Sequence, residues 1–302
     1  MSNSELPGKR FAKHFPTDDP EPSILTGFDR RNFAAAKIVH SSPELGVLEI
    51  PPQDAFVLAF LLRDFSKSDL WVGGRPTKWQ PIRRGEIHYY DLEAGVRANI
   101  KEPLNFVFMY LPRSLLDEFT DEHNLERVNG CGVKTGTAIA DPTVARLASS
   151  LLPALERPEQ ANQLLTDEVA FKLQAHFVHR YARSHNLQAF FRGGLAPWQE
   201  RRAKECIRAH LKGTISISQI AAECQLSRSH FFRAFSHTLG KSPYRWLIHS
   251  RIEQSRNLLL TSNLSLMEIA TACGFSSQSH FTRVFSGYFG VSPGMWRSAS
   301  RH

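Results

Sequence analysis

Cysteine is scarce in this 302-residue chain, and the four present (Cys131, Cys206, Cys224 and Cys273) stand singly. Without Cys-x-x-Cys or paired zinc-ligand spacing, neither a disulfide framework nor a structural zinc site is expected, and the pattern fits a reducing cytoplasm. Long apolar runs are missing as well. No stretch approaches the ~18 residues of a membrane helix. The polar, proline-bearing start from Met1 to Pro22 has no apolar segment of the kind that marks export. Gly-x-Ser-x-Gly, a phosphate-binding Gly-rich loop and a cysteine with an activating partner are all absent, which argues against hydrolase, nucleotide-binding and thiol chemistry. His176 and His179 share a helical face three residues apart, but no third ligand accompanies them. No enzyme activity, metal or cofactor is therefore expected.

What is present is unevenly placed. Residues 1–195 hold 23 Lys+Arg against 24 Asp+Glu, whereas residues 196–302 hold 14 against 5, so the net charge of +8 comes entirely from the last third. A near-neutral region joined to a strongly basic one points to a polyanionic partner for the second alone, or to a merely solubilising basic surface, between which charge by itself does not choose. The length suits two domains.

The stretch 1–23, with Pro7, Pro16, Pro20 and Pro22, reads as a mobile arm. From about Val47 to Leu111, short apolar runs (Ala55–Leu62, Leu104–Leu111) alternate with turns such as Gly73-Gly74-Arg75-Pro76, as in an antiparallel barrel or sandwich. Beyond Pro112 the period becomes helical. Asp141-Pro142 forms a helix start, Val144, Leu147, Leu151 and Leu155 share one face, and Leu165, Val169, Leu173, Phe177 and Tyr181 recur every four residues. Arg192-Gly193-Gly194 reads as a joint, and a helical region follows from Pro197 to Trp296. The expected fold class is α+β in two domains: an antiparallel β unit with trailing helices, then an all-α unit.

The basic third states one pattern twice. Ile220-Ala221-Ala222-Glu223-Cys224 returns 49 residues later as Ile269-Ala270-Thr271-Ala272-Cys273. His230, Phe231, Arg233, Phe235, Gly240, Ser242, Pro243 and Trp246 return 50 residues later as His280, Phe281, Arg283, Phe285, Gly290, Ser292, Pro293 and Trp296, so one residue is inserted between Cys273 and His280. Two copies of one unit are implied. In each, a short helix slimmed by alanine (Ile217–Cys224, begun by Ser218, in the first) leads through a turn to a second helix. That helix carries an inward stripe, Phe231/Phe235/Leu239 or Phe281/Phe285/Phe289, and a glycine stop at Gly240 or Gly290.

With the stripe turned inward, Ser229 and Arg233 face outward in the first copy, and Gln278, Ser279 and Arg283 in the second. Arginine on guanine and glutamine on adenine are the pairings that the major groove favours. Ser227 and Ser276 are the expected N-caps, whose helix amides suit backbone phosphates. A solvated surface arginine is the alternative, but an outward arginine two residues before the same core phenylalanine in both copies favours DNA reading. The joining helix, about Pro243 to Thr261, spans roughly 28 Å at 1.5 Å per residue. Successive major grooves lie about 34 Å apart on one face of B-DNA. On that helix Arg245, His249, Arg251 and Arg256 are phosphate candidates or solvated surface.

Residues 197–299 resemble the AraC/XylS family of bacterial transcription regulators, most specifically through Gly274-Phe275-Ser276-Ser277-Gln278-Ser279-His280-Phe281-Thr282-Arg283-Val284-Phe285, Gly290-Val291-Ser292-Pro293 and Trp296-Arg297. The resemblance implies a seven-helix domain at 197–299 with helix-turn-helix units at about 217–239 and 266–289. By position it assigns base contacts to Ser229, Phe232, Arg233, Gln278, Ser279, Thr282 and Arg283, and phosphate contacts to Ser227, Arg228, Arg245, Arg251, Ser276 and Ser277. Phe232 departs from the polar residue common there, and packs on a thymine methyl or on a neighbouring helix.

The resemblance also implies a cupin-like effector-sensing barrel at 24–135 and a helical dimerisation or linker region at 136–192, whose helices pair two subunits or cover their own barrel. Trp71, Trp79, His88, Tyr90 and Arg97 are its polar-aromatic strand residues, as pocket lining or as packing. A cupin enzyme needs a His-x-His cluster, and His88 stands alone. The implied function is a cytoplasmic, DNA-binding regulator of bacterial transcription, an activator and homodimer, with double-stranded DNA, RNA polymerase and an unknown small-molecule effector as partners and no membrane. A protein partner in place of the effector, or a cupin enzyme fused to a DNA reader, are the alternatives.

Overall fold

The computed structural model describes residues 7–19, 22–27, 33–43, 45–122, 125, 127–128, 132–180 and 193–300. Cys131, Tyr181 and Arg192, singled out above, lie outside them. The chain divides into two compact units, Met1–Pro158 with Val169–Phe190, and Glu159–Glu168 with Phe191–His302.

The first unit opens with helix α1 (Pro7–Ala12) and continues through β1 (Ile24–Gly27), β2 (Phe33–His40), β3 (Gly46–Ile50), β4 (Ala55–Leu61) and β5 (Ser68–Val72). Then come β6 (Arg75–Thr77), β7 (Ile87–Asp91), β8 (Val96–Ile100), β9 (Leu104–Pro112), α2 (Arg113–Glu122), β10 (Thr137–Ile139), α3 (Pro142–Glu156) and α4 (Gln163–Arg180). The strands pair antiparallel in two sheets, ordered β1-β2-β9-β4-β7-β10 and β3-β8-β5-β6. The sequence of β4 explains its central place. All seven residues of AFVLAFL are buried, as a strand covered on both faces requires. Val57, Ala59 and Leu61 join the core between the sheets, while the Phe56 ring meets Phe177 of α4 at 4.9 Å.

Two readings of the sequence are sharpened here. The first is the mobile arm: Pro7–Ala12 is helical, and Phe11 is only 1% exposed, with its ring 4.9 Å from Phe108 and 5.4 Å from Tyr110. These two aromatic partners on β9 make that anchor, and proline content does not report it. The second is the helix start at Asp141-Pro142. Asp141 Oδ1 accepts the amides of Thr143 and Val144 at 3.0 and 3.1 Å, the N-cap arrangement. Its other oxygen takes His176 Nε2 at 2.7 Å, so the imidazole raised above as a metal candidate has a carboxylate partner instead.

The second unit is helical: α5 (Pro197–Ala209), α6 (Ile217–Glu223), α7 (Arg228–Leu239), α8 (Pro243–Thr261), α9 (Leu266–Ala272), α10 (Gln278–Phe289) and α11 (Pro293–Ser300). Helix α6 is capped by Ser216, which forms a capping box with Gln219, so Ser218 is not its cap. The same box recurs 49 residues on as Ser265 with Glu268 at the start of α9. The Phe stripes face inward as read: Phe231 lies 5.4 Å from Phe235, Phe281 lies 5.5 Å from Phe285, and all four rings are buried. Gly240 and Gly290 end α7 and α10 at φ +64 and +74, where a left-handed backbone closes the helix. Cys224 and Cys273 are buried at equivalent C-caps, and burial pushes both thiols up to about 11.

Candidate nucleic-acid interface

Helices α6–α7 and α9–α10 form two helix-turn-helix units joined by the 19-residue α8. The turn before each second helix uses a left-handed residue at the same repeat position, Gln225 at φ +56 and Gly274 at φ +78. After it, Leu226 N donates to Ala221 O and Phe275 N to Ala270 O, still at the offset of 49. The caps then follow the offset of 50: Ser227 accepts from His230 N and Ser277 from His280 N. Ser277, not Ser276, therefore caps α10, because Ser276 is the inserted residue. The Ser276 hydroxyl instead meets His280 Nδ1 at 3.0 Å. Burial, then Arg283 and Arg251, hold the His280 imidazole down to about 4 against the pull of Glu159, so it is neutral at pH 7.

The outward residues separate into two groups. On α10, Gln278, Ser279 and Arg283 are exposed and Thr282 is half-buried. On α7, Arg233 is half-buried with Nε donating to Ser229 O at 3.2 Å, whereas Ser229 and Phe232 are 7% and 5% exposed. A groove meets those two only once they are uncovered. Among the phosphate candidates, Ser227, Ser276 and Arg245 are exposed, and Arg228 and Ser277 are half-buried. Arg251 is a correction: it is 5% exposed, and its Nε donates to Leu211 O at 2.8 Å inside the domain. Helical spacing alone does not tell which side of a long central helix is enclosed. Of the other α8 candidates, Arg256 pairs with Glu253 at 2.8 Å and His249 stacks 6.0 Å from Tyr288. Arg245, at the start of α8, and Arg283, on α10, are thus exposed basic groups of these elements.

Residues 220–299 match a protein-family profile described as a helix-turn-helix domain. The virulence regulon transcriptional activator VirF of Yersinia enterocolitica is 29% identical over 208 residues, 63% of this chain and 74% of that protein. The probable transcriptional regulator LumQ of Photobacterium leiognathi is 27% identical over 103 residues, 32% of this chain and 42% of that protein. The C-terminal domain is thus of the AraC type. Among solved structures, an AraC-type DNA-binding domain protein of Chromobacterium violaceum is 28% identical, over 34% of this chain and 91% of that one, with a TM-score of 0.32.

The first unit holds a second candidate site, a cavity of ≈ 60 Å³ between its two sheets. Apolar side chains of β3, β4, β8 and β9 line most of it, with Ser68, Trp79, His88 and Tyr90 as the polar groups and Phe11 and Phe15 among its walls. His88 is fully buried, and burial brings its imidazole down to about 4 despite the bond to Gly136 O. Neutral at pH 7, it meets Tyr90 Oη through Nδ1 at 2.6 Å and Gly136 O through Nε2 at 2.5 Å. Both ring nitrogens are thus engaged, which leaves no lone pair directed at the cavity. Trp79 Nε1 is buried without an acceptor among the described residues. Trp71 and Arg97 lie outside the cavity lining, paired across β5 and β8 with the guanidinium 5.4 Å from the indole. The sequence singled out these five residues together, but His88, Tyr90 and Trp79 line the cavity while Trp71 and Arg97 do not.

Proposed function

We propose that the chain is a sequence-specific, DNA-binding activator of transcription that reads two successive major grooves with α7 and α10. The observation that carries this reading is the pair of equivalent recognition helices, each with a serine N-cap and an outward arginine, spaced by one 19-residue helix. The basic charge of residues 196–302 supports it. Base reading falls to Arg233, Gln278, Ser279, Thr282 and Arg283, with Ser229 and Phe232 joining when uncovered. Phosphate contacts fall to Ser227, Arg228, Arg245, Ser276 and Ser277. The sense of regulation follows VirF, which is named as a transcriptional activator, and implies RNA polymerase as a partner and a homodimer as the working state.

The cavity supports control by a small effector. Its lining carries no charged side chain, so a buried ionic ligand would lack a counter-charge, and an uncharged, largely apolar molecule with an acceptor for Trp79 Nε1 fits best. A dry cavity that takes benzene has about 150 Å³, so α1 must move for such a ligand to enter. The small volume and the buried Phe11 favour a second reading, in which a protein partner replaces the effector. A thermal-shift screen of the full chain separates them: a rise in melting temperature with an uncharged aromatic compound, absent with its carboxylate analogue, supports the effector.

DNA reading is tested with duplexes selected from a random pool. Arg233→Ala and Arg283→Ala should each cost about 1–3 kcal/mol on the selected site and relax base preference there. An equal loss on every sequence assigns them to phosphates instead. Affinity should also fall steeply with salt.

A further inference from the structure

We propose that residues 159–168 are an intramolecular clamp on the recognition face, in which Gln160 holds Arg283 and so competes with DNA. The proposal rests on the DNA-reading role of α10. The stretch Glu159–Glu168 belongs to the same compact unit as Phe191–His302, although more than twenty residues of chain separate them. Two side chains fasten it there. Gln160 is 8% exposed, and its Oε1 accepts from Arg283 Nη2 at 2.9 Å. Asp167 is fully buried; its Oδ1 accepts from Gln163 Nε2 at 2.7 Å and its Oδ2 from Ile217 N at 2.8 Å, the first helical amide of α6. A carboxylate at that position also complements the helix dipole. The fastenings therefore fall on both helix-turn-helix units. Glu159 lies close enough to His280, and Glu168 to Tyr244 of α8, to act on their protonation. The stretch thus reaches Arg283 on the outward face of α10 and the first amide of α6.

That outward face is the part of a recognition helix that enters the groove. An arginine engaged by a glutamine oxygen cannot present its full fork to guanine. The major groove, about 12 Å wide, admits one helix, so Gln160 held against Arg283 stands where a base pair would have to lie. Clamp and DNA are therefore alternatives. In sequence the clamp is bracketed by α3 and by the rest of α4, which belong to the first unit. A change in either helix is thereby passed along the chain to Gln160 and Asp167, which gives the sensing unit a covalent handle on the reader.

Two substitutions of opposite sign test the clamp in the full chain. Gln160→Ala removes the acceptor, and affinity for a duplex selected from a random pool should rise about three- to tenfold, the worth of one hydrogen bond. Gln160→Glu exchanges Nε2, which has no partner among the described residues, for a second carboxylate oxygen toward Arg283. The charge-assisted bond should lower affinity by a similar factor. Melting curves of both variants check that the fold persists. Unchanged affinity in both, or a fall in both, overturns the clamp while leaving DNA reading intact. If the wild type selects no duplex, binding gained by Gln160→Ala supports a closed clamp, and no binding by either protein overturns both readings.

Discussion

Gly274 shows most plainly how one residue carries the fold of the reader. It sits at φ +78, and a Cβ there would lie 2.0 Å from the carbonyl oxygen of Leu211, the atom that accepts from Arg251. Backbone strain and overlap with main chain thus coincide. Gly274→Ala should destabilise by about 2–4 kcal/mol, combining left-handed strain with overpacking. Gly240→Ala, at φ +64 with nothing within 4 Å of its Cβ position, should cost only about 1 kcal/mol. Urea unfolding of the two variants measures the contrast, and equal losses would contradict the account of Leu211. The same neighbourhood explains Arg251. Its guanidinium is drawn into the domain, where burial lowers its pKa and Leu211 O satisfies Nε.

At the scale of the element, the two helix-turn-helix units were legible because each chemical requirement recurs. The Phe stripes, the glycine stops and the outward arginines all follow from helical period and stop chemistry, which a sequence displays directly. The caps were legible only in part. Ser276 and Ser277 are adjacent, and only the hydrogen bond from His280 N shows which one the helix uses. Ser277→Ala should cost about 1 kcal/mol by loss of a cap, whereas Ser276→Ala should stay within about 0.5 kcal/mol. Equal effects in urea unfolding would return the cap to Ser276. The burial of Ser229 and Phe232, the helix of Pro7–Ala12 and the contact from Gln160 to Arg283 depend on distant parts of the chain meeting. No local period encodes such meetings.

For the whole molecule, division of labour follows from charge and from the two units. The basic helical unit has the surface for a polyanion, and the two-sheet unit has an enclosed apolar space with one unengaged indole N–H among the described residues. Among the described residues no helix is long and apolar enough to cross a membrane. The central claim is that one chain aims two recognition helices at one duplex, and methylation interference on a selected site tests it most directly. Two clusters of interfering purines should appear on one face, about 10 base pairs apart, with Arg233→Ala weakening one cluster and Arg283→Ala the other. A single cluster per bound chain, with both substitutions acting on it alike, would contradict a reader of two successive grooves.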